Sequence, residues 1–271
     1  MSRSSERHGV RRYEGGAFAV VEDHLAAEEP LEIRLRGRAI SVTMRTPAPG
    51  SDHDEELAAG FLVGEGMVRR REDIEAVRRC PDASGGGVVD VLVGPHVTVD
   101  FAALTRHVFA SSSCGVCGAA TIEAVCRRFP PVGEGLRVKA AELLAMPDVL
   151  RAAQATFDTT GGLHAAGLFD ERRRLLVSRE DVGRHNAVDK VVGHALLGGM
   201  LPLSRRVLLV SGRASFEIVQ KACAAGIPVV AAVSAPSSLA VDLAEESNIT
   251  LVGFLRPGRF NVYTHAGRIQ G

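Results

Sequence analysis

No stretch of this 271-residue chain holds the roughly 20 consecutive apolar side chains that a membrane-spanning helix needs. The opening residues, 1–12, are polar and basic and lack the apolar core of a secretory signal. Excess charge is missing as well: 32 Lys and Arg balance 32 Asp and Glu. General binders of nucleic acid or membrane surfaces carry a basic surplus, so neither partner is expected, and any anion site must be a local cluster. Lysine is confined to Lys139, Lys190 and Lys221, and nearly all positive charge is arginine. The five cysteines, Cys80, Cys114, Cys117, Cys126 and Cys223, are an odd number in a chain this long. That excludes a disulfide framework and fits a cytoplasmic location.

The hydrophobic fraction of 46% and charged fraction of 24% are those of a soluble globular protein. A chain of this length can bury a full core as one large domain or two small ones. Residues 1–16 have no apolar periodicity and end in Gly15-Gly16, which predicts a flexible tail. Alternation over 32–45, with Ile33 and Leu35 before Gly37 and Ile40, Val42 and Met44 after it, predicts a hairpin. Ser51 or Asp52 then caps a helix bearing Leu57, Phe61 and Leu62 on one face. Two strand-like runs, 88–93 and 97–101, flank Gly94-Pro95. Residues 17–108 thus read as a small α+β unit.

The remainder, 109–271, reads as α/β. Ile122, Val125, Cys126 and Phe129 recur at helical spacing until Pro130-Pro131. A helical segment follows through 143–157, then a hairpin joining 163–169 to 175–178. Helices are expected near 188–197, 216–225 and 238–246. Between them stand three wholly apolar runs, 207–210, 229–233 and 250–254. Such runs alternating with helices imply a central mixed, largely parallel sheet covered on both faces. Ligands of open α/β sheets sit beyond the carboxyl ends of the parallel strands. Those ends are Ser211-Gly212-Arg213, Ser234-Ala235-Pro236-Ser237 and Leu255-Arg256-Pro257-Gly258-Arg259. Small residues admit a ligand to the backbone, helix N-termini offer free N–H groups, and arginine forks onto phosphate. An anionic nucleotide suits that rim; ordinary turns with solvated arginines would produce the same pattern.

Cys114-Gly115-Val116-Cys117 is a single CxxC. Structural zinc wants a second pair, and the other cysteines are isolated. A thioredoxin-type pair would open a helix after a strand, commonly near an aromatic or proline. Here three serines and two glycines surround it, and a segment with so little to bury suits a mobile loop, 111–118, whose thiol visits two places. Sulfur transfer needs such an accessible thiolate, and the helix N-terminus that follows can lower a nearby thiol pKa. A redox-inert surface pair is the bland alternative. His53-Asp54-Glu55 with the CxxC imitates the zinc-deaminase signature, but Ser113 stands where that signature wants proline. An acidic helix start explains 52–56 equally well. No structural metal is expected.

Two polar clusters remain. The segment Glu180-Asp181-Val182-Gly183-Arg184-His185-Asn186-Ala187-Val188-Asp189-Lys190 lies at a strand-to-helix junction, where Asn186 is a cap candidate with Asp189 and Lys190 in the first turn. Capping leaves the Arg184-His185 pair unexplained and points to functional use. Thr160-Gly161-Gly162-Leu163-His164 is a glycine-rich turn ending in a histidine, and a lone histidine there reads as structural.

These motifs, with Asp52-His53-Asp54-Glu55-Glu56-Leu57-Ala58, Gly60-Phe61-Leu62 and Gly253-Phe254-Leu255-Arg256, resemble the FdhD family of formate dehydrogenase accessory sulfurtransferases, in order from about residue 16 to 264. The resemblance implies a protein that takes sulfur from a cysteine desulfurase and passes it to bis-molybdopterin guanine dinucleotide, the molybdenum cofactor of formate dehydrogenase. It puts the persulfide on Cys114 with Cys117 assisting, and the nucleotide segment on Phe254, Leu255, Arg256, Pro257, Gly258 and Arg259. Ser211, Arg213, His164, Arg184 and Asn186 complete the expected cofactor-binding set. A cytidine-deaminase-like main domain and a homodimer are also implied. A cofactor-binding chaperone without sulfur chemistry is the competing reading.

Overall fold

The structure, a computed structural model, describes residues 4–48, 50–80, 87–99, 101 and 118–271, the side chains of 118–121 excepted. Two sheets carry it. The first has the order β4-β3-β6-β5 and is built from β3 (Glu29–Leu35), β4 (Arg38–Arg45), β5 (Ile74–Cys80) and β6 (Gly87–Val93). Leu31, Ile33, Leu35, Ile40, Val89 and Val91 alternate onto one face and are buried there. Helix α1 (His53–Gly64) covers that face with Leu57 and Leu62. The expected hairpin over 32–45 is therefore present as β3–β4. The run expected at 97–101 is not a strand: Val97 N–H closes a turn onto the Gly94 carbonyl.

The second sheet has six strands in the order β13-β12-β11-β10-β8-β9. They are β8 (His164–Asp170), β9 (Leu175–Asp181), β10 (Arg206–Val210), β11 (Val229–Ala232), β12 (Thr250–Arg256) and β13 (Arg259–Val262). The three apolar runs are β10, β11 and β12, and they pair in parallel. The β10–β8, β8–β9 and β12–β13 pairings are antiparallel, so the sheet is mixed, as expected, but not largely parallel. Short hairpin loops at 171–174 and 257–258 dictate that, because a tight turn can only reverse a strand. Period-2 alternation divides the core. Leu208, Val210, Val230, Ala232 and Leu251 face α1, α5 (Arg184–Leu197), α6 (Phe216–Ala224) and α7 (Ser238–Glu246). Val207, Leu209, Val229, Ala231 and Val252 face α3 (Ala140–Ala152) instead. Helices α2 (Gly118–Arg128) and α4 (Ala155–Thr160) and the short pair β7 (Val138–Lys139) and β14 (Ile269–Gln270) complete the chain.

The tail expected over 1–16 is corrected by a hairpin. Strand β1 (Ser5–Glu14) pairs along its whole length with β2 (Ala17–Ala26). Gly15 and Gly16, at φ 59° and 88°, make the two-residue turn whose twist matches the right-handed twist of the flanking strands. Both faces of the hairpin are largely exposed, which is why no apolar alternation marks it.

The two units share one core. One cluster of buried side chains runs from Leu31 through α1 and α5 to Leu251. Two buried ion pairs join in, using two of the three lysines. Lys190 Nζ bonds Asp181 Oδ2 at 2.6 Å and donates to the carbonyls of Thr46 and Glu180, so all three of its donors are satisfied. Asp181 Oδ2 also accepts from Thr46 N–H, and Oδ1 from Gly183 N–H and Asn186. Lys221 Nζ lies 2.7 Å from Asp189. No helix among the described residues is long and apolar enough to cross a membrane.

Candidate functional site

Strands β10, β11 and β12 end at one edge of the sheet, where antiparallel β8 begins with His164 and β9 ends with Asp181. Helix α5 starts directly afterwards at Arg184, with Gly183 as its cap. The loops beyond these strands are knitted to one another. Ser211 N–H donates to the Ala165 carbonyl, while Ala165 N–H donates to Ser211 Oγ, both at 2.9 Å. Ala214 N–H reaches the Ala235 carbonyl, Ser237 N–H the Ala214 carbonyl, and Phe254 N–H the Ser234 carbonyl. The expected rim is thus one connected surface.

Its backbone is specialised. Phe254 adopts φ +52°, a left-handed conformation that bulky residues avoid, within a register break between Gly253 and Arg256. Strain of this kind, of order 1–3 kcal/mol, persists where surrounding structure imposes it, and it concentrates at ligand sites. A Cβ on Gly212 would come within 3.1 Å of His164 Nδ1, and one on Gly253 within 2.8 Å of Pro236 Cδ. Both glycines let loops close in where a side chain would block them.

The electrostatics are cationic. Burial lowers the pKa of His164, and the neighbouring Arg184, His185 and Arg213 side chains lower it further. Those groups therefore converge on the same space. Arg184 Nε is buried and has no hydrogen-bond partner among the described residues. A buried donor of that kind is costly unless something accepts from it, and a phosphate or carboxylate would. Arg256 stacks over the Phe254 ring at 5.9 Å and faces Arg259 across the β12–β13 turn at Pro257-Gly258.

Of the expected binding residues, His164, Arg184, Ser211, Arg213, Phe254 and Arg256 share the rim, with Pro257, Gly258 and Arg259 at its outer corner. Leu255 is fully buried in the second core and presents no side chain there. Asn186 is not the helix cap. It lies inside the first turn of α5, its amide donating to the Met44 carbonyl at 2.7 Å and to Asp181, with Thr43 Oγ1 donating to its oxygen. It joins the first unit to α5 rather than facing the rim. Asp189 and Lys190 lie beyond the first turn, buried in separate ion pairs. Cys114 and Cys117, with the rest of 111–117, lie outside the described residues. Sequence reasoning missed Ser215 and Glu217, which bracket the His185 ring; their only signal was a serine ahead of an apolar helical run.

The resemblance to a zinc-deaminase signature at 53–55 has a different origin. Glu55 pairs with Arg79 and Asp54 with Arg45. His53 lines a cavity of about 170 Å³ beside β9, together with Thr46, Pro47, Thr156, Arg179 and Glu180. Burial, aided by the positive charge of Arg179 and Lys190 and opposed by Glu56 and Asp54, pushes the His53 pKa down to about 4. Between pH 6.5 and 4 the unfolded chain therefore takes up a proton that the folded form refuses. The contribution of His53 to stability is intact above pH 6.5 and is lost as pH falls toward 4. His53→Gln, which cannot titrate, should flatten that loss in urea unfolding measured across the window. An unchanged pH slope would assign the acid sensitivity to other groups.

Comparison with known proteins settles the lineage. A family model described as the FdhD/NarQ family matches residues 26–270. The chain belongs to the FdhD/NarQ family. A Streptomyces avermitilis protein named sulfur carrier protein FdhD is 54% identical, the alignment covering 99% of this chain and 97% of that one. A Mycolicibacterium paratuberculosis protein of the same name is also 54% identical, over 99% and 100%. A crystal structure of a formate dehydrogenase accessory protein from Desulfotalea psychrophila superposes with a TM-score of 0.81 at 29% identity, covering 99% of this FdhD-family chain and all of the other.

Proposed function

We propose that this FdhD-family protein is a sulfur carrier that loads sulfane sulfur on Cys114, with Cys117 assisting, and delivers it to bis-molybdopterin guanine dinucleotide. The donor is a cysteine desulfurase and the beneficiary a formate dehydrogenase. The observation that carries this reading is full-length similarity to sulfur carrier proteins in a chain whose only CxxC stands at Cys114–Cys117. In the transfer, a thiolate at Cys114 attacks the outer sulfur of the donor persulfide, taking that sulfur and releasing the donor thiolate. Cytoplasmic location, a homodimer and a cytidine-deaminase-like main domain belong to the same proposal.

The cofactor is cargo here, and the rim fits its phosphates. Arg184 offers a buried donor that lacks a partner among the described residues, Arg213 and Arg256 add charge, and Gly212 and Gly253 admit close approach. Release would balance by attack of the Cys117 thiolate on the Cys114 sulfur, forming the Cys114–Cys117 disulfide and freeing the outer sulfur as sulfide, for which the molybdenum centre would supply a ligand position. The protein's part is to hold the nucleotide ends by charge-assisted bonds. Arg256→Ala should weaken binding of a guanine nucleotide by on the order of 1.5–3 kcal/mol, measured by calorimetry, as should Arg259→Ala. Unchanged affinity in both would move the phosphates elsewhere.

The direct test is mass spectrometry of the whole chain after incubation with a cysteine desulfurase and cysteine. An added sulfur atom, mapped to the Cys114 peptide and removed by reductant, is the expected result. Absence of added mass would leave a cofactor-binding chaperone as the better reading.

A further inference from the structure

The strand-loop-helix units β10–α6 and β11–α7 are built alike, joined by the bridge between Ala214 and Pro236, and a serine occupies the residue before each helix. Ser237 does what a cap serine does: its Oγ accepts from Ala240 N–H. Ser215 does not. Its side chain makes no capping bond, and its Oγ instead lies 2.9 Å from Nε2 of His185. The other ring nitrogen, Nδ1, lies 2.7 Å from Glu217 Oε2. An ionised carboxylate can only accept, so Nδ1 carries a proton, and in the neutral form of the ring that leaves the Nε2 lone pair facing the serine hydroxyl. The bond from His185 holds the Glu217 carboxyl below the usual carboxylate range, which keeps it ionised. The imidazole is half-buried, with 28% of its side chain exposed, so the trio is reachable from the rim.

We propose that Ser215, His185 and Glu217 form a nucleophile–base–carboxylate relay that transfers acyl groups from small activated esters to water. The order of groups and both distances are those by which such triads are recognised on unrelated folds. Ser215 Oγ bonds to the ester carbonyl carbon, and its proton moves to His185 Nε2. The carbon–oxygen bond to the leaving group then breaks, and His185 returns the proton to that oxygen. Water repeats the sequence on the acyl-serine: it gives a proton to His185, its oxygen bonds to the carbonyl carbon, and the free acid leaves as Ser215 regains the proton. The N–H groups of Phe216 and Glu217 have no carbonyl within their own helix to bond and point from its N-terminus, where a developing oxyanion is stabilised. Arg184 adjoins His185 and acts on Glu217, and Arg213 precedes Ser215 by two residues, so esters with an anionic group are the favoured class.

This relay is independent of the sulfur-carrier reading, and it is tested on the purified full-length chain with a fluorophosphonate probe, which captures activated serines. One probe per chain should attach, mapped to Ser215. His185→Ala keeps the hydroxyl but should slow labelling by about 100-fold or more. Glu217→Gln should slow it too, with folding of both variants checked by circular dichroism. Hydrolysis of p-nitrophenyl acetate should fall in the same order. No label on Ser215, or labelling at an equal rate in a folded His185→Ala variant, overturns the proposal and leaves the trio as a helix-end network.

Discussion

Cells whose only copy of this protein carries Cys114→Ala should lose formate dehydrogenase activity to the level of cells without the protein. The same purified variant should keep its melting temperature and its affinity for guanine nucleotide. The size of the effect follows from chemistry that has no substitute. A persulfide needs a thiol to carry it, and a methyl side chain cannot take up sulfane sulfur. A weakened phosphate contact behaves differently: a loss of 1.5–3 kcal/mol at Arg256 is a factor of roughly ten to two hundred, which higher ligand concentration overcomes. Stability should be spared because the sequence of 111–118 is mostly serine and glycine and has little to bury, and substitutions at such sites change stability by about 0.5 kcal/mol or less. Activity retained in vivo by Cys114→Ala would remove the carrier role and favour the chaperone. Cys117→Ala, if that thiol only assists, should leave a measurable fraction of the activity.

The parts of this fold legible in the sequence are those whose side chains alternate between core and solvent or are uniformly buried. Val207–Leu208–Leu209–Val210 reads as a strand covered on both faces because both faces are covered, by α5 on one side and α3 on the other. The β1–β2 hairpin was illegible for the opposite reason. Arg7, Arg11, Tyr13, Phe18 and Val20 are all largely exposed, so burial imposes no period on them. Asp189 and Lys190 show a second limit. Adjacent charges near a helix start suggest a solvated turn, yet each is buried against a partner elsewhere in the chain, Lys221 and Asp181. Residue type shows that a charge needs a partner, but only the tertiary fold supplies it. At the rim the strand ends were readable from topology alone. The diversion of Ser215 from its helix to His185 was not, since Ser237 stands in the same local context and caps normally.

Gly193→Ala should cost more than about 4 kcal/mol of stability, beyond the range of ordinary substitutions. Helix propensity alone predicts the opposite sign, a gain of about 1 kcal/mol for alanine over glycine in a helix interior. Geometry decides between them. Helices α1 and α5 meet backbone to backbone, and a Cβ on Gly193 would stand 1.8 Å from the Glu56 carbonyl oxygen and 2.8 Å from Gly60 N. The contact is reciprocal: a Cβ on Gly60 would lie 1.9 Å from the Asp189 carbonyl oxygen. No rotamer change relieves a clash with main chain, so the helices would have to separate. Separation would also pull Glu56 from Arg179 and His194, and Asp189 from Lys221, since both acids sit one turn from the glycines. For a chain of this size the melting temperature should fall by on the order of 10 °C. An unchanged or higher melting temperature would mean that α1 and α5 yield at little cost, and that the shared core joins the two units less tightly than their contact implies. The corresponding Gly60→Ala variant probes the same contact from the other helix, and the pair together should cost less than the sum of the two single effects, because the first substitution already forces the helices apart.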